Sequence, residues 1–177
     1  MLNLLLLRHA KSSRSDPELD DTARPLTARG REAAAAMGRR LAGMGLVPDL
    51  VLCSPARRAR DTWKIAAAAL GAAPRTLVRD EIYDFGNGGR LLEAIKAHGG
   101  EATTLLVVGH NPSMERLALR LAGTGDERLR QRMERKFPTA ALAVICFDLA
   151  SWDAIGTGNG DLQSFVRPRD LTSGKPG

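Results

Sequence analysis

The sequence predicts a single α/β domain with a mostly parallel central sheet flanked by helices. Three features carry this expectation. Short continuous apolar runs at 3–7, 49–53 and 103–108 have the pattern of strands buried on both faces. Segments of helical spacing alternate with those runs, without internal repeats or a linker. The 177 residues, 44% of them hydrophobic, suffice for one core of ordinary size, so one domain is expected over 1–177, with a loop-like tail from about Gly156.

Each element has its own signal. Asn3 to Leu7 reads as the first strand and delivers Arg8 and His9 at its C-terminal end. Thr27 can cap a helix over ARGREAAAAMGRRLAGMG, in which Ala33, Met37, Leu41 and Met44 recur at helical spacing and Gly45 marks the stop. Asp49 to Cys53 reads as a second strand, followed by the alanine-rich helix SPARRARDTWKIAAAAL, closed by Gly71. A short third strand is expected at Arg75 to Val78, and a helix from Gly89 to His98 with Leu91, Leu92 and Ile95 on one face. Thr103 to Val108 is a clear strand ending in Gly109 and His110. Asn111 and Pro112 then open the helix PSMERLALRLAG. Arg128 to Lys136 is a charge run whose helical spacing suits a solvated face, and Ala140 to Phe147 reads as the last strand.

Composition removes several classes of function. No apolar run approaches the roughly 20 residues that span a bilayer, and MLNLLLL is too short for a secretory signal, so no membrane association and a cytoplasmic location are expected. Cys53 and Cys146 each lie in an apolar run and read as reduced, buried thiols. A net charge of +6 and a pI near 10 favour phosphorylated ligands or acidic partners. Aromatics make up only 4%, and neither an RNA-binding sheet pattern nor a zinc-finger spacing occurs, which argues against nucleic acid.

In open α/β sheets ligands bind beyond the carboxyl ends of the strands. Three strands deliver polar residues to that edge: Arg8 and His9, then Ser54 with Arg57 and Arg58, then His110 with Asn111. Two histidines among arginines make a pocket for a phosphate-like dianion. His98 sits at a helix C-terminus and reads as structural. Arginines beside paired histidines would repel a metal, so no metal is expected. A cysteine phosphatase would carry Cys-x5-Arg, but the position this requires after Cys53 is Ala59, one residue beyond Arg58, so that pattern fails. Neither GxxxxGK[ST] nor a strand-to-helix GxGxxG occurs, and no cofactor is implied.

What remains is phosphate chemistry on histidine. Neutral imidazole can act as a covalent nucleophile, which fits His9. Arg8 and Arg58 would hold the phosphoryl oxygens with planar forks, and a protonated His110 would stabilise charge in the transition state.

These motifs also resemble a known family. LLLLRHAKS resembles the Arg-His-Gly signature of the histidine phosphatase superfamily, also called phosphoglycerate mutase-like, with Ala10 in place of the glycine. SPARRARDT is similar to its Ser-x-x-x-Arg-Ala-x-x-Thr segment, VVGHNP to its second histidine motif, and RPLTARG to the segment between. The RHAK form with GHNP in so short a chain most resembles the compact SixA-type phosphohistidine phosphatases, as do KFPTAALAVICFD and the Pro-Arg-Asp stretch near Arg167. The resemblance implies a phosphoglycerate mutase-like fold and a metal-independent phosphatase with His9 as nucleophile. It places Arg8 and Arg58 as phosphate ligands and His110 as the second pocket histidine.

Larger members use a glutamate as general acid. Glu81 in RDEIYDFG is the nearest match, with Asp84 as competitor. Imidazole leaves more readily than an alkoxide, so a weak acid position favours phosphohistidine in a signalling or phosphotransfer protein. A small phosphorylated metabolite is the alternative substrate. Ser54, Arg57, Asn111, Arg14 and Arg60 are candidates for the rim. Outside enzymes, a phosphate-binding module, or a nucleic-acid binder using RLRQRMERKF, remains open.

Overall fold

The computed structural model describes residues 1–172. Seven strands form one sheet: β1 (Leu2–Arg8), β2 (Leu50–Cys53), β3 (Arg75–Val78), β4 (Thr104–Gly109), β5 (Ala122–Gly125), β6 (Leu142–Phe147) and β7 (Gly160–Val166). The helices are α1 (Ala28–Gly43), α2 (Arg57–Leu70), α3 (Gly89–Gly99), α4 (Ser113–Leu121), α5 (Glu127–Arg135) and α6 (Pro168–Thr172).

The strand order is β3-β2-β4-β1-β6-β7-β5. Pairs β1–β4, β2–β3, β2–β4 and β5–β7 are parallel, while β6 runs antiparallel to both β1 and β7. The expected α/β class with a mostly parallel sheet therefore holds. The run Leu4–Leu7 is fully buried because β1 is covered on both faces. Leu4 and Leu6 join Leu52, Val107 and the side chains of α3 and α4 on one face. Leu5 and Leu7 join Val51, Val108 and those of α1 and α2 on the other. On α1 the buried stripe includes Ala34, Met37 and Leu41, whereas Ala33 and Met44 are half-buried. Gly38 lets α1 pack directly on the Ala66 carbonyl of α2, since a Cβ there would collide with that oxygen.

Helix boundaries shift for local reasons. Pro55 disfavours helical backbone at Ser54, so α2 opens at Arg57 rather than at Ser54. Gly71 closes it in a left-handed conformation, φ 76°, with its N–H on the Ala67 carbonyl.

Two expectations need correction. The chain from Gly156 is not loop-like throughout, because β7 and α6 lie there. Gly160 gives β7 the room to pass Ile145 and Phe147, which a Cβ would strike. The tail's last residues, 173–177, lie outside the described residues. Cys53 is buried, and burial pushes its thiol up to about 12, but Cys146 is only half-buried and donates to Asn3 Oδ1 at 3.0 Å. The charge run forms α5, which is exposed except along the side that carries buried Met133.

Candidate active site

The sheet fixes the two histidines through their neighbours' backbones. The His9 N–H donates to the Gly109 carbonyl at 3.0 Å, and the Arg8 N–H to that of Ala141 at 3.0 Å. β1 and β4 are paired in register, Arg8 opposite Gly109, so His9 and His110 emerge side by side with ring centroids 5.0 Å apart. From α2, Arg58 comes beneath them and is almost fully buried. Thr62 ties these pieces together: its Oγ1 donates to the Arg58 carbonyl at 2.6 Å and accepts from the Ala10 N–H at 2.9 Å.

The hydrogen bonds assign the tautomers. His9 Nδ1–H donates to the Ala10 carbonyl at 2.7 Å, which leaves Nε2 as the base, facing Arg58 Nε at 3.3 Å. Guanidinium only donates, so both that nitrogen and His110 Nδ1, 3.3 Å from Arg58 Nη2, must accept. His110 therefore carries its proton on Nε2 and donates to Ser54 Oγ at 2.7 Å. Burial, with Arg58, Arg8 and Arg24 nearby, outweighs the Ala10 contact and lowers the His9 pKa to about 4. Burial, His9 and Arg58 lower that of His110 to about 3. In the pocket as it stands both imidazoles are therefore neutral, because each is buried among positive groups, so a protonated His110 in the transition state requires the charge of a bound anion.

The folded pKa values predict a pH dependence. In the unfolded chain both imidazoles titrate near 6.5. On acidification the unfolded chain takes up these protons first, so stability is full above about pH 6.5 and falls as the pH drops toward 4, by about 3 kcal/mol from His9 alone. Urea unfolding at about pH 7 and pH 4.5 should show a clear loss in wild type and a smaller one in His9→Gln. An equal loss in both would contradict the assignment.

The cavity at this edge has a volume of about 640 Å³, and its walls include Arg8, His9, Arg14, Asp21, Arg24, Arg58 and Asn111. Arg8 Nη1 and Asn111 Nδ2 both donate to the Phe137 carbonyl, at 2.7 and 3.0 Å, so the two residues brace each other. His110 is fully buried behind the cavity, covered by Phe85 at 5.1 Å and Tyr83 at 5.2 Å between ring centroids.

Several expected positions change. Glu81 sits exposed on a short 3-10 turn, Asp80–Ile82, and does not line the cavity, because the turn directs Ile82 rather than Glu81 into the core. Asp84 accepts from the Gly86 N–H at 3.2 Å and lies 4.0 Å from Arg90, so it organises its own loop. Ser54 is not on the rim; it is buried under His110. Arg57 points outside the cavity and pairs with Asp61 at 3.4 Å, and Arg60 lines a neighbouring hollow. Arg14 does line the cavity. His98, half-buried in the last turn of α3, takes no part in the site.

The reading of the sequence missed Asp21, Arg24, Thr62, Tyr83 and Phe85. Asp21 is the carboxylate of the cavity: its Oδ2 accepts from Arg58 Nη2 at 2.8 Å and from Tyr83 Oη at 2.6 Å, and its Oδ1 pairs with Arg24 at 2.9 Å. Partial burial pushes its pKa up, but the bonds from Tyr83 and Arg58 and the charge of Arg24 outweigh it and hold the carboxyl below its usual range. Arg24 and Thr62 fall in RPLTARG and SPARRARDT, so the signal for them was present. Among the described residues no three histidine, cysteine or acidic side chains gather as metal ligands, and no helix is long and apolar enough to cross a membrane.

The model of the histidine phosphatase superfamily, branch 1, matches residues 4–88. An uncharacterized protein of Mycobacterium tuberculosis is 39% identical over 166 residues, covering 92% of this chain and 100% of that one. A structure from Nakamurella multipartitia, proposed to be the phosphohistidine phosphatase SixA, is 30% identical with a TM-score of 0.81, over 94% of this chain and 96% of that one. A structure from Agrobacterium tumefaciens, named in the same way, is 29% identical with a TM-score of 0.79, over 94% and 98%.

Proposed function

The chain belongs to the histidine phosphatase superfamily, and on that premise we propose that it hydrolyses phosphohistidine in a signalling or phosphotransfer protein of the cytoplasm, through a covalent phosphoryl group on His9. The observation that carries the proposal is the hydrogen bond from His9 Nδ1–H to the Ala10 carbonyl at 2.7 Å, which leaves the Nε2 lone pair beside Arg58 in a cavity that Arg8 also lines.

In the first step His9 Nε2 attacks phosphorus and the bond from phosphorus to the substrate's imidazole nitrogen breaks. A substrate imidazole protonated on its other nitrogen leaves as a neutral ring and needs no acid. Phospho-His9 is in the same state, with Nδ1–H held by Ala10, so the carbonyl stabilises its positive charge. Water then adds to phosphorus and the P–Nε2 bond breaks. Dihydrogen phosphate leaves, and neutral His9 is restored. The arriving dianion opposes the charges that depress the His110 pKa, so His110 can take up a proton and face a phosphoryl oxygen once Phe85 moves off its ring.

Two features support a phosphohistidine substrate over a phosphate ester. Asp21, the carboxylate of the cavity, is held ionised and so is a poor acid for an alkoxide. Exposed Lys11, Arg14 and Phe85 are also among the residues that line the cavity, which suits entry of a side chain from another protein. Turnover of a phosphohistidine carrier protein should exceed that of any member of a panel of phosphorylated metabolites by about 10²-fold in kcat/KM. Faster turnover of a metabolite would replace this reading with a phosphomonoesterase.

A further inference from the structure

A second cavity, of about 330 Å³, adjoins the catalytic one, and the two share Lys11 and Thr139. Four parts of the chain bring cations to it: Lys11 after β1, Arg29 in the first turn of α1, Lys136 after α5, and Arg167 with Arg169 around the start of α6. No acidic residue lines it. Arg167 is bound to Asp170 through contacts of 2.8 and 3.0 Å. Lys11, Arg29 and Lys136 have no ion-pair partner among the described residues. Gathering unpaired like charges opposes folding, so the cluster calls for an anionic partner.

Its position is fixed relative to the chemistry. Lys136 precedes Phe137, whose carbonyl is gripped by Arg8 at 2.7 Å and Asn111 at 3.0 Å. The cations differ in kind from those of the catalytic pocket. Arg58 is a buried, preset fork, whereas Lys11, Arg29, Lys136 and Arg169 are exposed on long side chains, which suits carboxylates spread over a protein surface.

We propose that this cleft docks acidic side chains of the phosphorylated protein that flank its phosphohistidine; the proposal rests on the phosphohistidine-protein reading above. The probes are a short phosphohistidine peptide with glutamates on both sides of the phosphohistidine, and its twin with glutamines. Wild type should turn over the glutamate peptide with kcat/KM about tenfold higher at low salt, the advantage shrinking as salt rises. Arg29→Glu combined with Lys136→Glu should abolish that preference and leave turnover of the glutamine peptide unchanged. Equal turnover of the two peptides by wild type, or a preference that survives the double variant, would overturn the proposal. Fluorescence anisotropy with the unphosphorylated peptides separates the two levels. If neither peptide is hydrolysed but the glutamate form still binds more tightly through Arg29 and Lys136, the substrate reading fails and the docking site stands; equal binding removes the docking site.

Discussion

His9→Ala is expected to lower kcat/KM by about 10⁴-fold or more, because it removes the atom proposed to receive the phosphoryl group. The loss should be in kcat. Arg8 and Arg58, which would bind the phosphoryl group, keep bonds that do not involve the His9 ring: Arg8 to the Phe137 carbonyl, and Arg58, which loses only its Nε contact with His9, to Asp21. KM should therefore move little, and the variant should still bind a phosphate analogue such as vanadate. A variant that loses both binding and turnover would show that the imidazole is structural. A variant that keeps full activity would remove His9 from the chemistry altogether.

Arg58→Ala carries the second large effect, about 10³-fold in kcat/KM. Two charge-assisted bonds to the phosphoryl group, at roughly 1.5 to 3 kcal/mol each, set that scale. Arg58→Lys should recover little of it. A lysine offers a point charge, whereas Arg58 reaches His9 Nε2 and His110 Nδ1, both at 3.3 Å, and Asp21 in one plane of donors. Kinetics of the two variants beside Asp21→Asn check this. If Asp21 only orients Arg58, its loss should cost about tenfold, and near-wild-type activity in Arg58→Lys would show that charge alone suffices.

The parts of the fold with strong apolar signals were legible in the sequence. The run Leu4–Leu7 and the VV of β4 are buried on both faces, and such strands cannot avoid advertising themselves. The strand β5, AGTG, carries almost no apolar signal. It forms because β7 supplies a parallel partner and because Gly123 lets the chain press against Gly158, a tertiary cause with no local signature. The strand β7 and helix α6 were hidden for a similar reason, since glycine at 156, 158 and 160 reads as loop.

For the site the same division holds. Histidines at strand ends are visible because strand ends are visible, so Arg8, His9 and His110 could be placed at one edge before any geometry. Asp21 lies in a loop without periodicity and enters the cavity only through its contacts with Arg58 and Tyr83, which are distant in sequence. Glu81 failed because residue type and approximate position do not fix direction: a 3-10 turn points it to solvent. The protonation state of His110 was not legible at all, since it depends on burial and on the sum of the charges around it.

The proposed chemistry passes phosphate through Nε2 of His9. The most direct measurement mixes the protein with a carrier protein labelled on phosphohistidine, quenches within the first turnovers in alkaline denaturant, and maps the label by peptide mass spectrometry. Passage through His9 should give transient label on the peptide that contains it, absent from His9→Ala, with phosphate released at the rate the label decays. Phosphate released by wild type with no label on His9, or label on His9 that never turns over, would contradict it.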